Sequence, residues 1–349
     1  LSLHSLSKRL ERLRIKRAVW YAYRRSPFYH RLFENVGLHP NDIKTLDDFR
    51  RIPLTESTQL LKEPYQFLAV PKNRIFDVGA SSGTTGAAKK VFYTKREVER
   101  NTFFSAAGFS LLGVRRGDVA QVMWPPSPYA TSSTNDRLTH AFRRLGIFTI
   151  PRGTIPTPEE QIRSIQEYGV TVITGSPSYI HMLTVEGSKY AELSKLGVRW
   201  IFLSGEPWPE SLRNRLKEAW NCQFVHDAYF MTEIGGIASE CNLFNGLHLN
   251  EVGLYMEIID PKTGEAVEGE EEGELVFTPF DREGTPLLRY RSGDVSRSIL
   301  GPCECGWLTH RIARIKGRTD DVVKLGTSWN VYPSMIDSLI FEIPSILEY

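Results

Sequence analysis

The sequence predicts an α/β fold, and three observations carry that expectation. Between about residues 148 and 226, strand-like and helix-like stretches alternate. FTI (148–150) reads as a strand, PEEQIRSIQEYG as an amphipathic helix and VTVIT (170–174) as a buried strand. SPSYIHMLTVEGSKYAELSKLG follows as helix, WIFLS (200–204) as strand, PESLRNRLKEAW as helix and QFVHD as strand. Such alternation is what a sheet covered on both faces requires. After Glu233 the texture changes: MEIID, the turn PKTGEAVEGEEEG and ELVFT read as a β-hairpin region with a solvated acidic loop tip. Finally, 349 residues are more than one ordinary core holds, which points to one large domain or two smaller ones.

Composition narrows the function classes. Hydrophobic residues make up 41% and charged residues 24%, which excludes a disordered chain, a fibrous repeat and a disulfide-stapled mini-protein. With 43 basic and 41 acidic side chains the formal charge is +2, so no global field advertises nucleic acid. No apolar run approaches membrane-spanning length, and residues 1–25 lack the apolar core of a signal peptide. Four cysteines make no disulfide framework, so a reducing cytoplasm is the expected compartment. Leu3, Leu6, Leu10 and Leu13 recur at helical spacing amid Lys8, Arg9, Arg12, Arg14, Lys16, Arg17, Arg24 and Arg25. This reads as a docked helix with a solvated basic face, in preference to a membrane-surface helix. At the other end KLGTSWNVYPSMIDSLIFEIPSILEY stops as an element begins, which reads as a truncated second domain.

Four stretches carry candidate chemistry. In Ala80-Ser81-Ser82-Gly83-Thr84-Thr85-Gly86-Ala87-Ala88-Lys89-Lys90, small hydroxylated residues and two glycines leave N–H and O–H groups free to face an anion, and lysines add charge. The glycine spacing is not that of a Walker A loop. Asp227-Ala228-Tyr229-Phe230-Met231-Thr232-Glu233 puts a ring, a hydroxyl and a carboxylate in one short loop. Arg289-Tyr290-Arg291-Ser292-Gly293-Asp294 ends in a carboxylate after a glycine turn, and Gly317-Arg318-Thr319-Asp320-Asp321 precedes an apolar pair.

That ordered set resembles the adenylate-forming superfamily of acyl- and aryl-CoA ligases, luciferases and peptide-synthetase adenylation domains. Within it, the phenylacetate–CoA ligase branch is resembled most. SPFYHRLFENVGLHPNDIKTLDDFRRIPLTE (26–56), SSGTTG, LSGEPWPESLR (203–213), EIIDPKTGEAVEGEEEGELVFT and RYRSGD carry the likeness, over roughly residues 26–345. The resemblance implies a large N-terminal domain of layered α/β sheets with a β-rich subdomain (1–316), then a hinge and the start of a truncated small C-terminal domain (317–349). It implies that Ser81, Ser82, Gly83, Thr84, Thr85 and Gly86 wrap the ATP phosphates, with Lys89 as helper. Tyr229 would pack on adenine, Thr232 meet the α-phosphate, Glu233 hold Mg²⁺ and Asp294 bond the ribose hydroxyls. Arg318 matches a nearby arginine and Asp320 the hinge. The family's catalytic lysine lies on the C-terminal domain beyond this chain, and Lys324 and Gly326 align ambiguously.

The implied reaction joins a carboxylic acid to AMP, releases pyrophosphate and passes the acyl group to a thiol, that of CoA or of a phosphopantetheine on an acyl carrier protein. An amine acceptor, giving an amide ligase, and a catalytically idle nucleotide binder are the rival readings. The fold class places the acid near Trp124-Pro125-Pro126-Ser127-Pro128-Tyr129 and His140, together with Gly205, Glu206 and Ala228. Aromatic and small residues there suit a flat apolar acid. Cys241, His248, Cys303 and Cys305 offer three thiolates and one imidazole, a tetrahedral zinc set although the CxC spacer is tight. Members of the resembled branch can carry cysteines and a histidine at similar places, and four protein ligands would make the site structural. Cys222 reads as a buried small hydrophobe and His226 as a satisfied strand histidine. No nucleic-acid or membrane partner is expected, and a homodimer is left open.

Overall fold

The computed structural model describes residues 3–80, 89–126, 130, 133–325 and 329–340. Ser81, Ser82, Gly83, Thr84, Thr85, Gly86 and Tyr129 lie outside these described residues. The chain opens with four helices, α1 (Leu3–Arg25), α2 (Pro27–Asn35), α3 (Leu46–Arg50) and α4 (Ser57–Lys62). The antiparallel pair β1 (Asp77–Ala80) and β2 (Lys90–Tyr93) comes next. Then α5 (Lys95–Leu112), β3 (Val119–Met123), α6 (Thr134–Arg144), β4 (Phe148–Pro151), α7 (Pro158–Tyr168), β5 (Val172–Gly175), α8 (Pro177–Gly187), β6 (Trp200–Ser204), α9 (Glu210–Trp220) and β7 (Phe224–Met231) alternate. The remainder is strand-rich: β8 (Gly235–Glu240), β9 (Leu247–Leu249), β10 (Leu254–Ile259), β11 (Gly273–Pro279), β12 (Tyr290–Ser296), β13 (Ser298–Ile299), β14 (Arg311–Ile312), β15 (Gly317–Arg318), β16 (Val323–Leu325) and β17 (Trp329–Val331), then α10 (Pro333–Ile340).

A nine-stranded sheet runs in the order β13-β14-β9-β8-β7-β6-β5-β3-β4. The strands β4, β3, β5, β6 and β7 are parallel neighbours, and from β7 onward the pairing is antiparallel. Burial on both faces explains the unbroken apolar run WIFLS. Ile201 and Leu203 join α7, α8 and α9 through Ile165, Leu183 and Leu216. Trp200 and Phe202 turn to the opposite face, where Leu112 of α5 and Phe142 of α6 cover them. A second, four-stranded antiparallel sheet has the order β10-β11-β12-β15. The predicted MEIID/ELVFT hairpin is the β10–β11 pair.

Helix boundaries obey local chemistry. Thr157 caps α7 by accepting from Glu160 N while the Glu160 side chain returns to the Thr157 N–H, with proline in the first turn. The stretch read as one long helix from 176 to 197 instead ends at Gly187 and resumes only as a 3₁₀ turn at Leu193–Lys195. Gly187 is where Ile162 of α7 crosses: a Cβ there would stand 2.8 Å from Ile162 Cδ1. The face of α1 that docks also differs from the leucine stripe. Ile15, Ala18, Val19 and Ala22 are buried, whereas Leu10 and Leu13 are exposed. No helix among the described residues is long and apolar enough to cross a membrane.

One buried ion pair ties α9 to the large sheet. Arg213 and Glu240 meet through two hydrogen bonds of 3.0 and 2.8 Å, and Glu240 also accepts from Asp227 N at 2.7 Å. Both side chains are nearly inaccessible, and burial pushes the Glu240 carboxyl up while Arg213 opposes it. Arg213→Met should therefore lower stability by about 3–5 kcal/mol, because it strands a buried charge. Urea unfolding checks this; a loss below about 1 kcal/mol would mean that Glu240 is neutral or hydrated once alone.

Candidate active site

The two sheets, α5 and α6 border a cavity of about 1460 Å³ that is partly open to solvent. That exceeds the usual range for one small molecule and leaves room for two. Lys89, Glu233, Thr232, Tyr229, Asp294, Arg318, Gly205, Glu206 and Ala228 all line it, although they come from five separate stretches of chain.

Glu233 occupies the turn between β7 and β8, which the left-handed Gly235 (φ +103°) closes. Its carboxylate is 2.6 Å from Lys89 Nζ and accepts from the Tyr290 hydroxyl at 3.2 Å. Burial, then the neighbouring Glu233 charge, pushes the Tyr290 phenol well above its ordinary range, so it remains a donor. The turn is held from behind. Arg282 donates to the carbonyls of both Thr232 and Glu233, and the Tyr93 hydroxyl donates to the Thr232 carbonyl. The guanidinium groups of Arg282 and Arg137 lie 4.3 and 4.6 Å from the Tyr93 ring centre, and Arg137 pairs with Asp77 at 2.8 Å. Gly79 of β1 lets this assembly close, since a Cβ there would stand 2.8 Å from both Thr232 Cγ2 and the Tyr93 ring.

Tyr229 faces the second sheet, where its hydroxyl donates to Asp294 and its ring lies near Phe277. Burial raises the Tyr229 phenol well above its usual value and the Asp294 carboxylate adds to that. Burial also raises the Asp294 carboxyl, which the Tyr229 hydrogen bond and then Arg318 oppose. Arg318 is the register partner of Asp294 and donates to Ser292 O at 3.0 Å. Gly293 (φ +79°) is needed between them: a Cβ would lie 2.9 Å from Arg318 Nη2.

On the other wall, Trp124 stacks under Gly205 and donates to Thr174 Oγ1 at 3.3 Å. The Glu206 carboxylate is exposed and caps Ser178 through its N–H and hydroxyl at 3.1 and 2.9 Å. His140 is not brought to the cavity. The inward face of α6 presents Thr134, Arg137 and Leu138, and His140 stands exposed on another side. Asp320 is exposed in the turn after β15. Arg282, Tyr93 and Arg137 give no signal in the sequence. They act on backbone carbonyls and rings far away along the chain, and no local spacing encodes that.

A second cluster joins the residue after β8, β9 and the loop between β13 and β14, with His248 also bordering the cavity. The ligand atoms of Cys241, His248, Cys303 and Cys305 all lie within 4.8 Å of one another. Cys241 and Cys303 sulfurs are 3.8 Å apart, and Cys305 Sγ is 3.4 Å from His248 Nε2. The other ring nitrogen of His248 is 3.2 Å from Thr309 Oγ1.

The family model described as AMP-binding enzyme matches residues 45–278, about two thirds of the chain. The chain belongs to the AMP-binding enzyme family. As a member of this family it is similar to the phenylacetate–coenzyme A ligase of Thermus thermophilus, with 33% identity over 345 residues, covering 97% of this chain and 76% of the relative. It is similar to that of Escherichia coli at 29% over 337 residues, covering 95% and 75%. A solved 2-hydroxyisobutyryl-CoA ligase in complex with 2-HIB-AMP and CoA superposes with a TM-score of 0.85 at 25% identity, covering 98% of this chain and 74% of that one. In its postadenylation state the same ligase gives 0.90 at 23% identity, with the same coverages. The α/β fold expected from the sequence is therefore that of the adenylate-forming acid–CoA ligases.

Proposed function

We propose that this AMP-binding family member is an ATP-dependent carboxylic acid ligase that activates an aryl or related acid as its acyl-adenylate and passes it to the thiol of coenzyme A. The observation that carries this reading is the joining, in one cavity, of the Lys89–Glu233 pair, the Tyr229–Asp294 pair and an apolar wall. A nucleotide and an apolar acid could meet there, and the named ligase relatives support that pairing.

In the first step a carboxylate oxygen attacks the α-phosphorus and the bond to pyrophosphate breaks. In the second, the thiol sulfur attacks the acyl carbon, its proton leaves and AMP departs. Like charges about 4 Å apart repel by several kcal/mol at a mid-range dielectric, so the first step needs fixed positive groups. Lys89 supplies one, and Thr232 offers a hydroxyl at the α-phosphate. Ser81, Ser82, Gly83, Thr84, Thr85 and Gly86 wrap the outer phosphates in this reading. Tyr229 packs on adenine, while Asp294, neighboured by Arg318, accepts from the ribose hydroxyls. Gly205, Glu206 and Ala228 border the acid, and Asp320 is the hinge between a body of residues 1–316 and the segment 317–349.

Glu233 would hold Mg²⁺, which usually takes one or two carboxylates and leaves its other positions to water and phosphate oxygens. The buried carboxylate facing the cavity fits that need. When bound, Mg²⁺ supplies charge neutralisation on the phosphates. The cysteine cluster fits structural Zn²⁺: tetrahedral bonds of about 2.3 Å to sulfur and 2.0–2.1 Å to nitrogen set ligand separations of roughly 3.5–3.8 Å. The observed 3.8 and 3.4 Å agree with that. Cys241, His248, Cys303 and Cys305 would hold it through three thiolates and His248 Nε2, and Thr309 would orient the imidazole.

Exchange of labelled pyrophosphate into ATP, dependent on the added acid, tests the proposal with full-length protein and a panel of aryl and alkyl acids. Exchange with at least one acid is expected. Silence across the panel with ATP binding intact would favour a nucleotide binder.

A further inference from the structure

His226 of β7 stands in register with Phe202 of β6 and is only 1% exposed. Its ring completes an aromatic ladder, 5.4 Å from Phe202, 5.7 Å from Phe224, 6.0 Å from Trp200 and 5.1 Å from Phe244. Neither ring nitrogen has a hydrogen-bond partner among the described residues, so the satisfied histidine expected from the sequence is not what the fold holds. Burial, with Arg213 and Lys217 nearby, pulls its pKa down to about 3, which leaves a neutral ring with one donor and one acceptor. A phenylalanine would serve the ladder as well without the cost of two dry, unmade hydrogen bonds.

His226 also belongs to the lining of the cavity, together with Phe109, Phe202, Ala228 and Ala238. Strand alternation sets Phe224, His226 and Ala228 on one face, with His226 about 7 Å further than Ala228 from the Thr232–Glu233 turn. The ring's neighbours in the ladder are all aromatic, and an orphaned polar group beside the cavity is most simply completed by the ligand.

Resting on the ligase reading of this cavity, we infer that His226 is a specificity-determining residue: it recognises one hydrogen-bonding oxygen, a hydroxyl or carbonyl, on the apolar body of the acid and remote from the carboxylate. A site built to bond such an oxygen discriminates against the analogue lacking it, because the imidazole then stays unpaired.

The test compares acid-dependent pyrophosphate exchange for phenylacetate and its ring-hydroxylated counterparts. The wild-type protein should favour a hydroxylated acid by roughly 10–100-fold in kcat/KM, chiefly through KM. His226→Phe should bring that ratio close to one by raising KM for the hydroxylated acid, and His226→Gln, which keeps a donor and an acceptor, should retain part of it. The inference is overturned if His226→Phe keeps the wild-type ratio, or if the wild type favours the unsubstituted acid. Exchange with no acid of the wider aryl and alkyl panel, with ATP binding intact, would overturn the ligase reading itself, a result distinct from exchange without discrimination. Should His226→Phe fail to fold, the ratio measured on His226→Gln decides: an unchanged ratio with raised KM for both acids counts against the inference.

Discussion

Glu233→Gln should reduce acid-dependent pyrophosphate exchange by about 10²–10³-fold while leaving the fold intact, a loss typical of removing one electrostatic group from a water-poor site. The substitution conserves volume, and the amide oxygen can still accept from the Tyr290 hydroxyl that now reaches the carboxylate at 3.2 Å. What disappears is the negative charge 2.6 Å from Lys89 Nζ, and with it the proposed seat of Mg²⁺. The loss should persist at saturating ATP and acid, and raising Mg²⁺ should recover little of it. Near-normal turnover would remove Glu233 from the reacting centre. A variant that unfolds would instead assign it to the buried pairing of Lys89 and Tyr290.

Removing the metal from the cysteine cluster is the second large effect. Elemental analysis should find about one zinc per chain, and Cys303→Ser should lose it. A metal held at a thousandfold excess over its dissociation constant stabilises the folded state by about 4 kcal/mol, which lowers Tm by roughly 5–10 °C when it is stripped. Cys222→Ser is the internal comparison, since Cys222 packs among Leu212, Leu216 and Val225 and not with the other three. It should keep its zinc. A metal-free protein with wild-type Tm would refute the assignment.

Much of the molecule is legible in its sequence where local chemistry and tertiary need coincide. WIFLS is apolar on both sides because the strand is buried on both sides, and Thr157-Pro158-Glu159-Glu160 states the start of α7 outright. Glu233, Thr232 and Tyr229 stand together because the end of β7 and the turn that follows it carry them. The cluster of Cys241, His248, Cys303 and Cys305 draws on two stretches of chain about sixty residues apart, and spacing alone could not assemble it; the family resemblance could. His140 stands away from its expected place because helical phase, not proximity in sequence, decides which side chains of α6 face inward. The leucine stripe misleads about the docking face of α1 because alanines and Val19 pack closer than the leucines beside them. Arg282 leaves no trace in a sequence pattern, since it recognises carbonyl groups that every residue possesses.

The long-range clamps at the N-terminus bear on how the chain acquires its shape during synthesis. The Tyr29 hydroxyl lies 3.0 Å from Thr55 Oγ1 and accepts from Leu288 N at 2.7 Å, and the Tyr21 hydroxyl donates to Glu283 O. The two tyrosines leave the ribosome about 260 residues before Glu283 and Leu288, roughly 13–50 s at ordinary elongation rates. For that interval α1 and α2 present Val19, Ala22, Tyr29 and Phe33 without the sheet that buries them. Holding those helices until β12 emerges is work suited to a nascent-chain chaperone, and slow elongation would lengthen the exposure.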